Sequence, residues 1–85
     1  MGCYNVMAVL VNERTSSSKE LQDVLTRYGC IISVRLGLHK TGNACSEEGL
    51  IILQLCGSLE EIKALEDSLN SIKGVKAKSI ELSAE

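Results

Sequence analysis

Phenylalanine and tryptophan are absent from this 85-residue chain, and tyrosine occurs only twice, at Tyr4 and Tyr28. Aliphatic side chains must therefore fill nearly all of the core, and base-stacking platforms for single-stranded nucleic acid are not expected. An excess of basic charge is lacking too: nine Lys and Arg are scattered among eleven Asp and Glu, for a formal net charge of -2. That leaves no electrostatic footprint for a phosphate backbone, so direct nucleic-acid binding is not expected. The longest apolar run, Val6 to Val11, is far shorter than the roughly 20 residues of a membrane helix. No basic stretch followed by an apolar one marks a signal peptide, and a cytoplasmic location is expected. Met1-Gly2-Cys3 invites a lipidation reading, but Val6 stands where the myristoylation pattern requires Ser or Thr. Cys3, Cys30, Cys45 and Cys56 include no C-x-x-C pair, the spacing that metal clips and redox pairs use, so separate thiols are the expectation.

What is present suits one small domain. Hydrophobic residues make up 45% and charged residues 24%, a globular balance, and the length allows a single core spanning residues 1–85. Tyr4 to Asn12 is aliphatic and β-branched without helical periodicity, which predicts a strand buried on both faces. Ser17-Ser18-Lys19-Glu20 has the capping-box form, and Leu21, Val24, Leu25 and Tyr28 follow on one helical stripe. Gly29 is placed to end that helix in a left-handed conformation.

Ile32, Val34, Leu36 and Leu38 alternate with Ser33, Arg35 and Gly37, as in an edge strand with one wet face. A polar loop, His39 to Glu48, with Gly42-Asn43 as its turn, leads into the aliphatic run Leu50 to Cys56. Ser58-Leu59-Glu60-Glu61 is a second capping box, followed by Leu59, Ile62, Leu65, Leu69 and Ile72 at helical spacing. Gly74 stops this helix. Val75 to Leu82 then reads as a Lys-rich edge strand whose alternation slips between Lys78 and Ile80, as at a bulge.

The order βαββαβ predicts an α+β, ferredoxin-like sandwich: a four-stranded antiparallel sheet with two helices on one face. Right-handed crossovers make the first and third strands central, and these are the two that read as buried on both faces. With both helices on one side, the opposite face of the sheet is open and should be covered by association. Met7, Val9, Val11, Ile51, Leu53 and Leu55 are the expected interface residues, in a homodimer or homotetramer. The alternate set on the same strands is equally aliphatic.

Candidate binding residues fall in the loop after the first strand, at Asn12, Arg14, Thr15, Ser16 and Ser17, where a helix start can hold a carboxylate or phosphate. Capping alone would also account for the serines. Arg35, on the polar side of the second strand, completes the set as a partner for an anionic ligand or a neighbouring acid. An alternative reading is a metal or redox sensor using His39 and Cys45, although two ligands fall short of the usual three or four. Catalysis has no visible support, and no cofactor is implied. The single histidine has no nucleophile at fixed spacing, and no phosphate loop, zinc-hydrolase pattern or nucleophile elbow occurs. Acylphosphatases, copper chaperones and RNA-recognition domains share the strand order, but each carries a mark missing here.

Four segments in order resemble another family: Val11-Asn12-Glu13-Arg14, Arg35-Leu36-Gly37, the aliphatic third strand, and Gly74-Val75-Lys76-Ala77-Lys78. From about Tyr4 to Leu82 the chain resembles the small ACT-like proteins described as iron-only hydrogenase system regulators. The resemblance implies an ACT-like fold akin to the ligand-binding domain of the nickel-responsive regulator, an oligomer, and a regulatory role; with the residues above, the expectation is a module that binds a small effector or a partner protein near the first loop and the subunit interface. The sequence shows no DNA-binding helix of its own, so any effect on transcription is expected to run through another protein. Thr15-Ser16-Ser17 stands where amino-acid-binding ACT domains carry a Pro-Gly turn. The nickel regulator's histidines are matched at most by His39 and Cys45, so neither an amino-acid site nor that metal site is carried over.

Overall fold

The computed structural model describes residues 4–12, 18–38 and 48–82. Its elements are β1 (Asn5–Asn12), α1 (Lys19–Arg27), β2 (Ile32–Leu38), β3 (Glu48–Leu55), α2 (Leu59–Asn70) and β4 (Val75–Glu81). The sheet order is β2-β3-β1-β4 with every neighbouring pair antiparallel, the ferredoxin-like α+β arrangement expected from the sequence.

Local chemistry sets the helix ends. Ser18, rather than Ser17, caps α1 by accepting from the amide of Leu21. At α2 the capping box is complete: Ser58 Oγ accepts from the Glu61 amide at 3.1 Å, and Glu61 Oε1 accepts from the Ser58 amide at 2.9 Å. Leu21, Val24 and Leu25 of α1 and Ile62, Leu65 and Leu69 of α2 are buried against the sheet. Leu59 is an exception to the expected stripe and lies exposed in the first turn of α2. Gly29 does not take a left-handed conformation; α1 runs through Tyr28 into a 3₁₀ turn at Gly29–Ile31 that buries Ile31. Gly74, with φ at 88°, does turn the chain from α2 into β4.

Strand register decides which face is which. Met7, Val9 and Val11 of β1 stand beside Leu53, Ile51 and Gly49 of β3 and beside Ser79, Ala77 and Val75 of β4. All of these point towards the helices. The residues expected at an oligomer interface are therefore the core of the chain itself: Met7, Val9, Leu53 and Leu55 have no exposure, Val11 is 1% exposed, and Ile51 packs against them. The outward set is the other one, Val6, Ala8, Leu10, Leu50 and Ile52. Both sets are largely aliphatic, and they are separated by Gln54, in phase with Leu50 and Ile52, and by the pairing with β4, whose Lys76 and Lys78 must face water.

The irregularity expected in β4 lies in β2 instead. Ile32 pairs with Leu55 and Val34 with Gln54, so Ser33 is an extra residue, whereas β4 pairs with β1 from Val75 to Glu81 without a shift. The bulge reverses the phase of β2: Ile32 packs on the core, and Val34 and Leu36 emerge on the open face, each about half exposed. One thiol expectation also changes. Cys30 is free and exposed, but Cys56 is disulfide-bonded, to a partner outside the described residues.

Candidate functional site

The open face of the sheet is the most distinctive surface of the molecule. Three rows cross it. Val34, Gln54, Val6 and Ile80 form one row, and Leu36, Ile52, Ala8 and Lys78 the next. Leu50, Leu10 and Lys76 lie in the third. Leu10, Val34, Leu36, Leu50 and Ile80 are exposed, with Leu36 at 52% and Ile80 at 55%, while Val6 and Ile52 are half-buried. Apart from Gln54, the face is thus aliphatic from β2 across β3 to β1. Along β4 it changes character, because Lys76 and Lys78 stand between β1 and the sheet edge.

Two shallow hollows meet at Leu10 and Lys76. One, of about 280 Å³, is lined by Ala8, Leu10, Leu50 and Lys78 among others. The second, of about 230 Å³, is bounded by Leu10, Asn12, Gly74, Val75 and Lys76. An aliphatic floor beside two ammonium groups is suited to an apolar surface with an acidic or polar margin.

The candidate binding residues separate. Asn12 ends β1, its amide donating to the carbonyl of Gly74 at 3.1 Å, beside the second hollow. Arg35 pairs with Leu53, level with Met7, so it lies about 17 Å along the strands from Asn12 and two strands across. It also faces the helix side: its Nη2 donates to Gln22 Oε1 of α1 at 3.3 Å. The shift at Ser33 puts it there, and Arg35 does not belong to the open face or to a site with Asn12. Arg14, Thr15, Ser16 and Ser17 lie outside the described residues, as do His39, Cys45 and the Gly42-Asn43 turn. Among the described residues no group of three or more His, Cys, Asp or Glu is placed to hold a metal ion. No helix among them is long and apolar enough to cross a membrane.

Sequence reasoning missed Val34, Leu36 and Ile80 as parts of the surface. The Lys76/Lys78 pair was the available signal: it fixes Val75 and Ala77 as inward, and with the register of β4 on β1 it sends Val6, Ala8 and Leu10 outward.

Comparison with known proteins agrees with this architecture. Twelve chains among the solved structures match it. One of them, described as "The structure of uncharacterized protein TM1266 from Thermotoga maritima", superposes with a TM-score of 0.80 at 23% identity, covering 93% of this chain and 95% of that one. At that identity the likeness shows the fold. No curated protein matches. The family model "TM1266-like: Iron-only hydrogenase system regulator, putative" matches residues 4–79, from before the start of β1 to within β4. The chain belongs to this TM1266-like family of regulators.

Proposed function

We propose that the chain is a cytoplasmic, ACT-like regulatory module of an iron-only hydrogenase system, without catalysis of its own, that works by self-association through the open face of its sheet. A small effector or a regulatory partner protein binds at the end of β1, at Asn12 and the adjoining residues Arg14, Thr15, Ser16 and Ser17. Any effect on transcription runs through another protein.

The observation that carries this reading is the open face itself. Eight aliphatic residues, Val6, Ala8, Leu10, Val34, Leu36, Leu50, Ile52 and Ile80, share it. Four strands about 4.8 Å apart and seven residues long give a flat footprint of about 450 Å². Two copies then bury about 900 Å² before side-chain relief is counted, close to the roughly 1,000 Å² that a specific interface needs. Full burial of an exposed aliphatic side chain is worth about 1.5–3 kcal/mol. With about half of that still to be gained at each position, the set offsets a large share of the roughly 4–15 kcal/mol lost on association.

Sedimentation equilibrium on the purified chain up to high micromolar concentration tests the reading. Dimers or tetramers are expected. Single chains throughout, with no companion protein recovered from cells, would overturn it. A thermal-shift screen of small carboxylates and phosphates tests the effector site, where stabilisation lost on Asn12→Ala is the expected outcome. Specific DNA binding by the purified chain at physiological salt would contradict the indirect role.

A further inference from the structure

Resting on the self-association proposed above, we infer that two copies pack face to face about a two-fold axis that runs parallel to the strands, between β3 and β1, so that β4 of each copy lies over β2 of the other.

Packed sheets of the aligned class keep their strand directions within about 30°. Two in-plane axes bring the open faces together in that class, one along the strands and one across them. The row Leu36, Ile52, Ala8, Lys78 separates the two. An axis across the strands lays every strand on its own copy. Where that axis crosses at this row, Lys78 meets Lys78, Ala8 meets Ala8 and Ile52 meets Ile52, which sets like charges together and pairs small with small and large with large. An axis along the strands exchanges the two halves of the row. Ala8 then faces Ile52, small against large, and Lys78 faces Leu36, over which its aliphatic stem lies while the ammonium reaches water at the rim.

The neighbouring rows agree. About the axis along the strands, Ile80 faces Val34 and Leu10 faces Leu50, so all four are covered. The lysines fall at both outer margins of the interface and its centre is aliphatic except for Gln54, which faces Val6, the anatomy of a specific interface. The contact is isologous and closes at two copies.

A charge test at Leu36 reads the axis directly. Leu36 is half exposed and makes no part of the core, so its replacement leaves each chain folded, which circular dichroism verifies. If Leu36 faces the partner's Lys78, Leu36→Glu and Leu36→Lys differ: at low salt the dimer dissociation constant of Leu36→Lys is expected to be at least about tenfold higher, since two like-charge contacts are created. Combining Leu36→Lys with Lys78→Glu should recover that factor, and added salt should shrink it. Equal weakening by Leu36→Glu and Leu36→Lys, or no recovery in the double variant, in a protein whose wild type is dimeric, overturns the axis and leaves self-association standing. A wild type that sediments as single chains overturns self-association itself.

Discussion

Asn70 holds the backbone of Ala77 through both ends of its side-chain amide: Nδ2 donates to the Ala77 carbonyl at 3.0 Å, and Oδ1 accepts from the Ala77 amide at 2.7 Å. In an antiparallel pair, alternate residues turn their backbone groups away from the partner strand. Ala77 turns its groups to the outer edge of β4, and the amide of Asn70 occupies the place a fifth strand would take. A free edge in the middle of β4 is thereby closed against strand addition. Asn70→Asp keeps the acceptor and loses the donor, setting a carboxylate against a carbonyl oxygen. It is expected to cost about 1–3 kcal/mol in urea unfolding. A variant as stable as wild type would show that the pairing contributes nothing.

The assignment of faces can be checked with two truncations. Met7→Ala empties a fully buried position between β1 and the helices and is expected to cost about 2–5 kcal/mol. Leu36→Ala, measured at concentrations low enough to keep chains apart, should change stability by no more than about 0.5–1 kcal/mol. The opposite ranking would mean that the helices cover the other side of the sheet.

Gly57 has no room for a side chain. A Cβ built there would lie 2.8 Å from Ile31 Cγ2 and 3.1 Å from Ile31 Cβ, and Ile31 is buried. Gly57→Ala should therefore push the 3₁₀ turn at Gly29–Ile31 away from the start of α2, at about 1–3 kcal/mol. Thermal unfolding measures the loss, and a displaced Ile31 methyl resonance locates it.

On the exposed side of α2, Lys63 Nζ donates to Asp67 Oδ1 at 3.1 Å. The hydrogen bond to Asp67, together with the attraction of its charge, holds the Lys63 ammonium above the ordinary lysine pKa. A raised folded-state value gives a contribution that is complete below the unfolded pKa and disappears as pH rises through the folded one. Titration of the Lys63 side chain by NMR should show a midpoint that falls on Asp67→Asn; an unchanged midpoint would remove Asp67 as the cause.

The order of elements was legible because each signal was local. Ser58 and Glu61 announce α2, the stripe Leu21, Val24 and Leu25 announces α1, and the absence of any polar phase in Val6–Val11 and Leu50–Leu55 marks the two central strands. The orientation of β1 was not legible from β1 itself, since a run that is aliphatic on both sides carries no phase, and β3 carried a single mark, Gln54 in phase with Leu50 and Ile52. That orientation resided in β4, where Lys76 and Lys78 alternate with Val75 and Ala77. The position of Arg35 was misread for a different reason. An inserted residue at Ser33 leaves the composition of β2 unchanged yet reverses every later side chain, and no single-sequence period detects it. The Asn70 clamp joins a helix end to a strand edge whose proximity only the finished fold creates.

That inserted serine also sets how far the sticky surface extends. Were Ser33 paired in a regular ladder instead, with Ile32 still beside Leu55, β2 would offer Arg35 beside Ile52 and Gly37 beside Leu50, and the water-shedding strip would narrow to the two inner strands with basic groups on either flank. Whether this one residue is looped out of the ladder or paired within it is therefore a dial on the breadth of that strip, while the inward residues of β1 and β3 stay where they are.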